Sequence, residues 1–353
     1  MKLEDLGYPN ELEEYRREKQ LEHFAVARVI AEHKERYMVQ TADGEYEAEI
    51  LGNLRFAAQS RADFPAVGDW VAIALYGDDK ALIHAVFPRK SVLERQAVGK
   101  TGEKQIIAAN IDYALIVQAV DRDFSINRLE RYLTICHTAK VQPIIILNKI
   151  DLADEATVDK LLELVRKRIR GVPLLAVSNE SGQGIASLQE YIRKGCTYCL
   201  LGSSGVGKST LLNSLQGTQL MKTDDISAHS DRGRHVTTRR ELRILANGGI
   251  LIDNPGMREV GIADSEAGIG ITFETIAELA QACKFKDCSH TAEAGCAVVA
   301  AVEAGELDRA AYENYCKMER EKARFESTLA EKRKKDKDFG KMIRNYKKGK
   351  DQQ

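Results

Sequence analysis

No run of apolar residues in this 353-residue chain approaches the roughly eighteen needed for a helix to cross a bilayer, so a helical membrane span is excluded. The N-terminus, Met1-Lys2-Leu3-Glu4-Asp5, also lacks an apolar core and is acidic, so it does not read as a secretory leader. Net charge is almost absent, at −1, but that sum hides an uneven distribution. From Lys317 to Gln353 there are 14 Lys/Arg against 7 Asp/Glu, a tail that reads as a solvated helix or as a phosphate-seeking arm. No internal repeat is visible. The seven cysteines are an odd number, and a cytoplasmic chain keeps its thiols reduced. Three of them lie close together beside a histidine, which points to metal and away from disulfides.

What is present supports real cores. Hydrophobic residues make up 44% and charged residues 30%, and the length suits two or three domains. Residues 1–21 read as an exposed, charge-rich helical extension. Short β-like runs follow at Phe24–Ile30, Arg36–Thr41, Glu45–Leu51, Trp70–Leu75 and Ala81–Phe87, separated by turn signals such as Ala42-Asp43-Gly44. Five such strands predict a small closed barrel, best matched by the OB-fold. Gln96–Ala109 reads as a hinge. Beyond it, apolar strands alternate with amphipathic helices, which predicts a mostly parallel sheet covered on both faces. After Thr272 the pattern is helical.

Two phrases in this α/β region carry chemistry. Gly202-Ser203-Ser204-Gly205-Val206-Gly207-Lys208-Ser209, with Thr210 next, is a G-x-x-x-x-G-K-S phosphate loop between an apolar strand and a helix. Its glycines let backbone N–H groups turn around a β-phosphate at a helix N-terminus. Lys208 is placed to bridge β- and γ-phosphate oxygens, and the Ser209 hydroxyl to hold Mg²⁺. Asn148-Lys149-Ile150-Asp151 is an N-K-x-D phrase at the end of a buried strand. A carboxylate there can accept two hydrogen bonds from the N1–H and N2–H₂ edge of guanine, which adenine does not offer. Ser178 and Asn179 are candidates to complete the base pocket through backbone amides.

Asp253-Asn254-Pro255-Gly256 fits D-x-x-G, with Asp253 toward Mg²⁺ and the Gly256 N–H toward a γ-phosphate. The polar segment Lys222–Arg240 reads as a switch loop, in which Thr238 is the first candidate for the Mg²⁺ threonine and Thr237 the second. Where many GTPases place a water-orienting glutamine, this chain has Met257, so unaided hydrolysis is expected to be slow. His235 is the candidate catalytic residue beside Lys208; the alternatives are that it packs or binds RNA.

The guanine phrase precedes the phosphate loop, the reverse of the order in ordinary small GTPases. All these phrases still fall at the carboxyl ends of parallel strands, where open α/β sheets bind ligands. A circular permutation therefore leaves the pocket intact.

Cys283, Cys288, His290 and Cys296 fall within fourteen residues. Three thiolates and one imidazole describe a closed tetrahedral Zn²⁺ site with a structural role. Cys196-x₂-Cys199 has no second pair and reads as core packing.

Taken together, these phrases resemble the circularly permuted ribosome small subunit-dependent GTPase A family, over roughly residues 22–320. Phe64-Pro65-Ala66-Val67-Gly68-Asp69 and Ala108-Ala109-Asn110-Ile111-Asp112 add to the likeness. The resemblance implies an OB-fold RNA-binding domain at 22–98, a permuted P-loop GTPase domain at 99–262 and a helical zinc-binding domain at 263–320; the N-terminal extension at 1–21 and the basic tail at 321–353 lie outside it. It also implies late assistance to 30S subunit maturation, with 16S rRNA and the subunit as partners and GTP turnover stimulated by the subunit. The family's switch histidine corresponds to His235. The family's usual threonines are replaced by Val236 and Asn254. A cytoplasmic monomer is expected. The rival reading is a nucleotide-dependent metal-chaperone or metabolic GTPase acting away from the ribosome.

Overall fold

The computed structural model describes residues 1–33, 36–96, 104–121, 124–216, 241–253 and 266–326. Five strands, β1 (Ala25–His33), β2 (Arg36–Gln40), β3 (Glu45–Ile50), β4 (Trp70–Tyr76) and β5 (Lys80–Val86), pair in the order β1-β2-β3-β5-β4. A further β1–β4 pairing closes them into a barrel. Each strand contributes two inward residues two positions apart: Ala27 and Val29, Tyr37 and Val39, Ala48 and Ile50, Val71 and Ile73, Ala81 and Ile83. The period of two is what a strand with one buried face requires. A short helix, α2 (Gly52–Ala57), joins β3 toward β4.

The first twenty residues depart from expectation. They form a 3₁₀ turn (Leu3–Leu6) and a helix, α1 (Glu11–Glu18), and they are not simply exposed. Leu6 and Leu12 are buried against Val26, Trp70, Ala72 and Phe87 on the outer face of the barrel. The Tyr8 ring meets Trp70 edge-on at 4.8 Å. Charge dominates the composition of this segment, yet Leu6 and Leu12, with Leu3, Tyr8 and Tyr15 packed around them, dock it.

The segment expected as a hinge is partly a hairpin. β6 (Val92–Gln96) pairs antiparallel with β7 (Lys104–Ala109) as a separate two-stranded sheet. Its glycines suggest a bend, but Ile106, Ile107 and Ala108 need a buried partner and find one across the ladder and beneath it.

The α/β region follows the predicted alternation. Its strands are β8 (Tyr113–Ala119), β9 (Gln142–Asn148), β10 (Leu174–Ala176), β11 (Thr197–Leu201), β12 (Glu241–Ile244) and β13 (Ile250–Asp253). They lie in the order β10-β9-β8-β11-β13-β12, all parallel except the β12–β13 pair. The helices are α3 (Ile126–Thr138), α4 (Glu155–Arg168), α5 (Ile185–Tyr191) and α6 (Lys208–Gln216). In β8, Ala114 and Ile116 feed one core while Leu115 and Val117 feed the other, so the run Ala114–Val117 is apolar on both faces. Cys199 is core packing, as expected: burial pushes its thiol up to about 12.

Barrel and α/β sheet are continuous. β1 pairs with β12 at Ala31 and Glu241, giving one eleven-stranded sheet. Arg28 of β1, fully buried at this junction, donates to the carbonyls of Leu6, Gly68 (3.3 Å) and Asn110 (3.3 Å) and to Thr197 Oγ1 (2.8 Å). Its guanidinium also lies 5.3 Å from the Trp70 ring. Desolvation lowers it to about 10, so it remains charged at neutral pH.

The C-terminal helices are α7 (Glu266–Thr272), α8 (Glu274–Ala280), α9 (Ala297–Glu303) and a helix over 309–326. They share a core of their own around Ile269, Phe273, Val298 and Met318. This unit clamps onto α3. A Cβ at Gly268 would fall 2.1 Å from Thr138 Oγ1 and 2.4 Å from the Thr134 carbonyl, so α7 crosses α3 at a distance only glycine permits. Arg131 donates twice to Glu321 at 2.7 Å, and the buried Glu130 accepts from Arg168 (2.7 Å) and Asn314 (2.6 Å). Desolvation pushes Glu130 above the ordinary carboxylate range, against the opposing pull of Arg168. With the partners this close, a carboxylate–guanidinium pair is the form the geometry supports.

Candidate functional site

The phosphate loop leaves β11 and enters α6, the context its glycines demand. Gly202, Gly205 and Gly207 all have positive φ, at 146°, 79° and 94°. A Cβ at Gly202 would lie 2.3 Å from the Val117 carbonyl, and one at Gly207 2.3 Å from Asn148 Nδ2. Only glycine lets the loop pass that close to β8 and to the end of β9. Val206 is buried, whereas Ser204, Gly205 and Ser209 are exposed on the rim. Lys208 Nζ donates to the Gly202 carbonyl (2.8 Å) and to that of Ser203, which folds the ammonium back over the loop. Thr210 continues the first turn of α6, and the Leu211 N–H bonds the Gly207 carbonyl at 2.9 Å.

The guanine phrase meets this loop directly. Asn148, the last residue of β9, is fully buried, and its Nδ2 donates to the Val206 carbonyl at 2.8 Å. Asn179 Nδ2 donates to Asn148 Oδ1 (3.2 Å) and reaches the Gly207 carbonyl (3.5 Å). Lys149 turns the chain in the left-handed region at φ 63°, so Ile150 packs inward and Asp151 is the middle residue of a 3₁₀ turn, Ile150–Leu152. Asp121, just beyond β8, lies 3.9 Å from Lys149 Nζ.

Ser178 differs from expectation in how it acts. Its hydroxyl donates to Asp151 Oδ1 at 2.5 Å and accepts the N–H groups of Glu180 (3.2 Å) and Ser181 (3.0 Å). The side chain therefore fixes the carboxylate, while the Ser178 N–H is taken by the Gln183 carbonyl at 2.9 Å. A serine two residues beyond a strand, directly before a turn, is the signal that points to it.

Asp253 ends β13, which runs beside β11 with Ile252 opposite Cys199. The carboxylate thus stands on the same rim as the phosphate loop. With the Ser209 hydroxyl it offers the hard oxygen donors that suit Mg²⁺. His235, Thr237, Thr238 and Gly256, with the rest of the expected switch, lie outside the described residues.

The second cluster is brought together as predicted. One ligand atom each from Cys283, Cys288, His290 and Cys296 lies within 4.8 Å of the others. Cys283 Sγ is 3.5 Å from His290 Nδ1 and 3.9 Å from Cys296 Sγ, and Cys296 Sγ is 3.6 Å from His290 Nδ1. Metal–ligand bonds of about 2.0–2.3 Å in a tetrahedron require edges of about 3.3–3.8 Å; the Cys283–His290 and Cys296–His290 edges lie in that range, and a small contraction of the wider ones brings this three-sulfur, one-nitrogen set onto Zn²⁺. His290 adopts φ 57° to face inward, and Tyr312 Oη braces its carbonyl at 2.7 Å. Cys296 caps α9, accepting the Val299 N–H at 3.5 Å. No cysteine of the cluster is shared with a disulfide among the described residues.

A parallel sheet whose phosphate loop and guanine-reading strand meet on one rim, with the reader preceding the loop in sequence, defines a circularly permuted GTPase. Residues 86–263 match the family model described as RsgA GTPase. The chain is 45% identical over 325 residues to a Listeria monocytogenes protein named small ribosomal subunit biogenesis GTPase RsgA 2, covering 92% of this chain and 90% of that one. It is 38% identical over 345 residues to a Bacteroides thetaiotaomicron protein named small ribosomal subunit biogenesis GTPase RsgA 1, covering 98% and 96%. In structure it is similar to YjeQ from Thermotoga maritima (TM-score 0.64, 27% identity, 86% and 98% covered). It also shares its fold with YloQ, described as a circularly permuted GTPase (TM-score 0.59, 23% identity, 88% and 96% covered). The chain belongs to the RsgA GTPase family, and is a GTP hydrolase.

Proposed function

We propose that this GTPase docks on the small ribosomal subunit, assists a late step of its maturation, and hydrolyses GTP faster when docked. The observation that carries the nucleotide assignment is the Asn148–Val206 contact, which joins a guanine-reading strand to a phosphate loop. The ribosomal assignment draws on the names of relatives that align along nearly the whole chain.

In this reading the N–H groups of Gly202–Ser209 wrap the β-phosphate, and Lys208 neutralises charge between β- and γ-phosphates. Asp151 accepts the N1–H and N2–H₂ of guanine, Asn148 contacts its N7/O6 side, and the stem of Lys149 lies along the purine. Ile150, Ser178 and Asn179 shape the rest of the base pocket. Ser209, Asp253 and Thr238 hold Mg²⁺, which screens phosphate charge when bound, and the Gly256 N–H senses the γ-phosphate. Met257 cannot orient water, so His235 takes that task once the subunit is engaged.

The domain limits of 22–98, 99–262 and 263–320 belong to the same proposal, with RNA-binding modules on either side of the GTPase. Cys283, Cys288, His290 and Cys296 hold one Zn²⁺ that cross-links the helical unit and takes no part in hydrolysis. The protein acts as a cytoplasmic monomer on 16S rRNA. Among the described residues no helix is long and apolar enough to cross a membrane.

The test is GTP turnover with and without purified small subunits. The subunit is expected to raise turnover well above the basal rate, and His235→Ala to abolish that rise while leaving GTP binding intact. Turnover indifferent to subunits overturns the ribosomal reading; stimulation intact in His235→Ala clears that histidine of a catalytic role.

A further inference from the structure

The loop between the first two sulfur donors, Cys283-Lys284-Phe285-Lys286-Asp287-Cys288, turns an aromatic ring outward. Phe285 is 47% exposed, and Lys284 and Lys286 on either side of it are exposed too. A lone exposed apolar side chain is ordinary and carries no meaning by itself. Three features separate this one.

The loop is held at both ends by residues of the metal-ligand set, and the Lys284 N–H bonds the Gly295 carbonyl at 3.1 Å on the far side of the cluster. Gly295 sits at φ 82°, and a Cβ there would lie 3.1 Å from Lys284 Cβ, so the start of the loop is in close contact with the residue that precedes Cys296. The ring is therefore presented by a fixed scaffold. Next, the Lys284 ammonium lies 5.4 Å from the Phe285 ring centroid, so cation and ring form one composite surface. Finally, the positive charge is not cancelled locally. Among the described residues neither lysine is in an ion pair, and Asp287 is the loop's only carboxylate. The nearby Glu293 carboxylate is occupied by the N–H groups of Ser289, Thr291 and Ala292 and by the Ser289 hydroxyl.

We propose that Phe285 is a base-stacking residue: its ring takes the face of an unpaired RNA nucleotide while Lys284 and Lys286 meet the flanking phosphates. Aromatic stacking beside cations is how proteins hold single-stranded nucleic acid irrespective of base identity. A protein partner would be met by a contiguous apolar area, whereas the neighbours of this ring in the loop are charged. The inference rests on the reading that the chain docks on the small subunit, and names one place where it touches RNA.

The experiment uses the full chain, purified small subunits, a single-stranded RNA oligonucleotide and the variants F285A, F285L and F285W. F285A and F285L should each weaken subunit binding on the order of tenfold, while F285W keeps it. The oligonucleotide should quench F285W fluorescence beyond any change in the wild type, whose single tryptophan, Trp70, is buried. F285L binding as tightly as wild type while F285A does not would mark an apolar protein contact and overturn the proposal. So would unchanged binding in all variants with no quenching. If the wild type itself fails to bind subunits, the docking reading falls, and oligonucleotide quenching alone decides whether Phe285 stacks.

Discussion

Asn148 Nδ2 donates to the Val206 carbonyl across 2.8 Å, so the last residue of β9, where the N-K-x-D phrase begins, is bonded to the floor of the phosphate loop. The two residues lie 58 positions apart, and neither can be moved without the other. Asn148→Ala removes that bond and leaves a buried carbonyl without its donor, which costs about 1–3 kcal/mol. GTP and GDP should both bind roughly ten- to hundredfold more weakly, because the loop loosens as well as the base pocket. Equilibrium titration with both nucleotides checks this; loss of GTP affinity alone would contradict it.

Asp151 and Ser178 form the next pair to separate. Asp151→Asn replaces an acceptor by a donor opposite the guanine N2 edge, so preference should move from GTP toward XTP in competition binding. Ser178→Ala keeps the carboxylate but frees it to rotate, and it also strips the N–H groups of Glu180 and Ser181 of their acceptor. Its expected effect is a loss of guanine affinity of about tenfold with no change of base preference. A Ser178→Ala protein that binds GTP normally would restrict Ser178 to its backbone.

Most of this site was legible because its signals are local. The glycines of Gly202–Ser209 announce a loop at any position, the five barrel strands fall within a few residues of their predicted ranges, and the cysteine spacing needs no partner to be read. What was not legible depends on contacts across long separations. Leu6 and Leu12 look like isolated apolar residues in a charged helix until Trp70 and Phe87 stand beneath them. Lys104–Ala109 reads as a hinge until Val92–Gln96 lies beside it. The bond from Ser178 to Asp151 depends on two strand ends meeting, and the β1–β12 pairing depends on two whole units docking. Periodicity reports which face is apolar; it does not report what will cover that face.

The cysteine cluster gives a prediction with a structural readout. Cys283 and Cys296 line the same core as Phe273, Val298 and Met318, so the donor set and the helical packing are one assembly. Removing the metal should therefore unfold the C-terminal helices first and spare the barrel. Metal analysis should find one zinc per chain. Cys288→Ser, or a strong chelator, should release it and lower helical circular dichroism while GTP binding persists. Unchanged helix content after complete zinc loss would show that the apolar core alone holds this unit.

Arg28 makes the strongest demand on the architecture. It is a fully buried cation with no carboxylate in direct contact among the described residues, held by three carbonyls and the Thr197 hydroxyl. Those acceptors come from the N-terminal turn, the loop before β4, the turn before β8 and the first residue of β11, so one side chain ties the barrel to the strand that carries the phosphate loop. Arg28→Met matches the length of the stem but abandons all four acceptors, and should destabilise the junction by about 3 kcal/mol or more. Arg28→Lys keeps the charge with fewer, non-planar donors and should fall in between. Trp70, 5.3 Å from the guanidinium, reports on this site directly. In urea, the Trp70 fluorescence transition of Arg28→Met should move to lower denaturant than that of the wild type. It should also separate from loss of GTP binding, because the barrel is released while the nucleotide rim stays folded. Coincident transitions at the wild-type midpoint would mean that the β1–β12 pairing and the packing around it hold the two units together without Arg28.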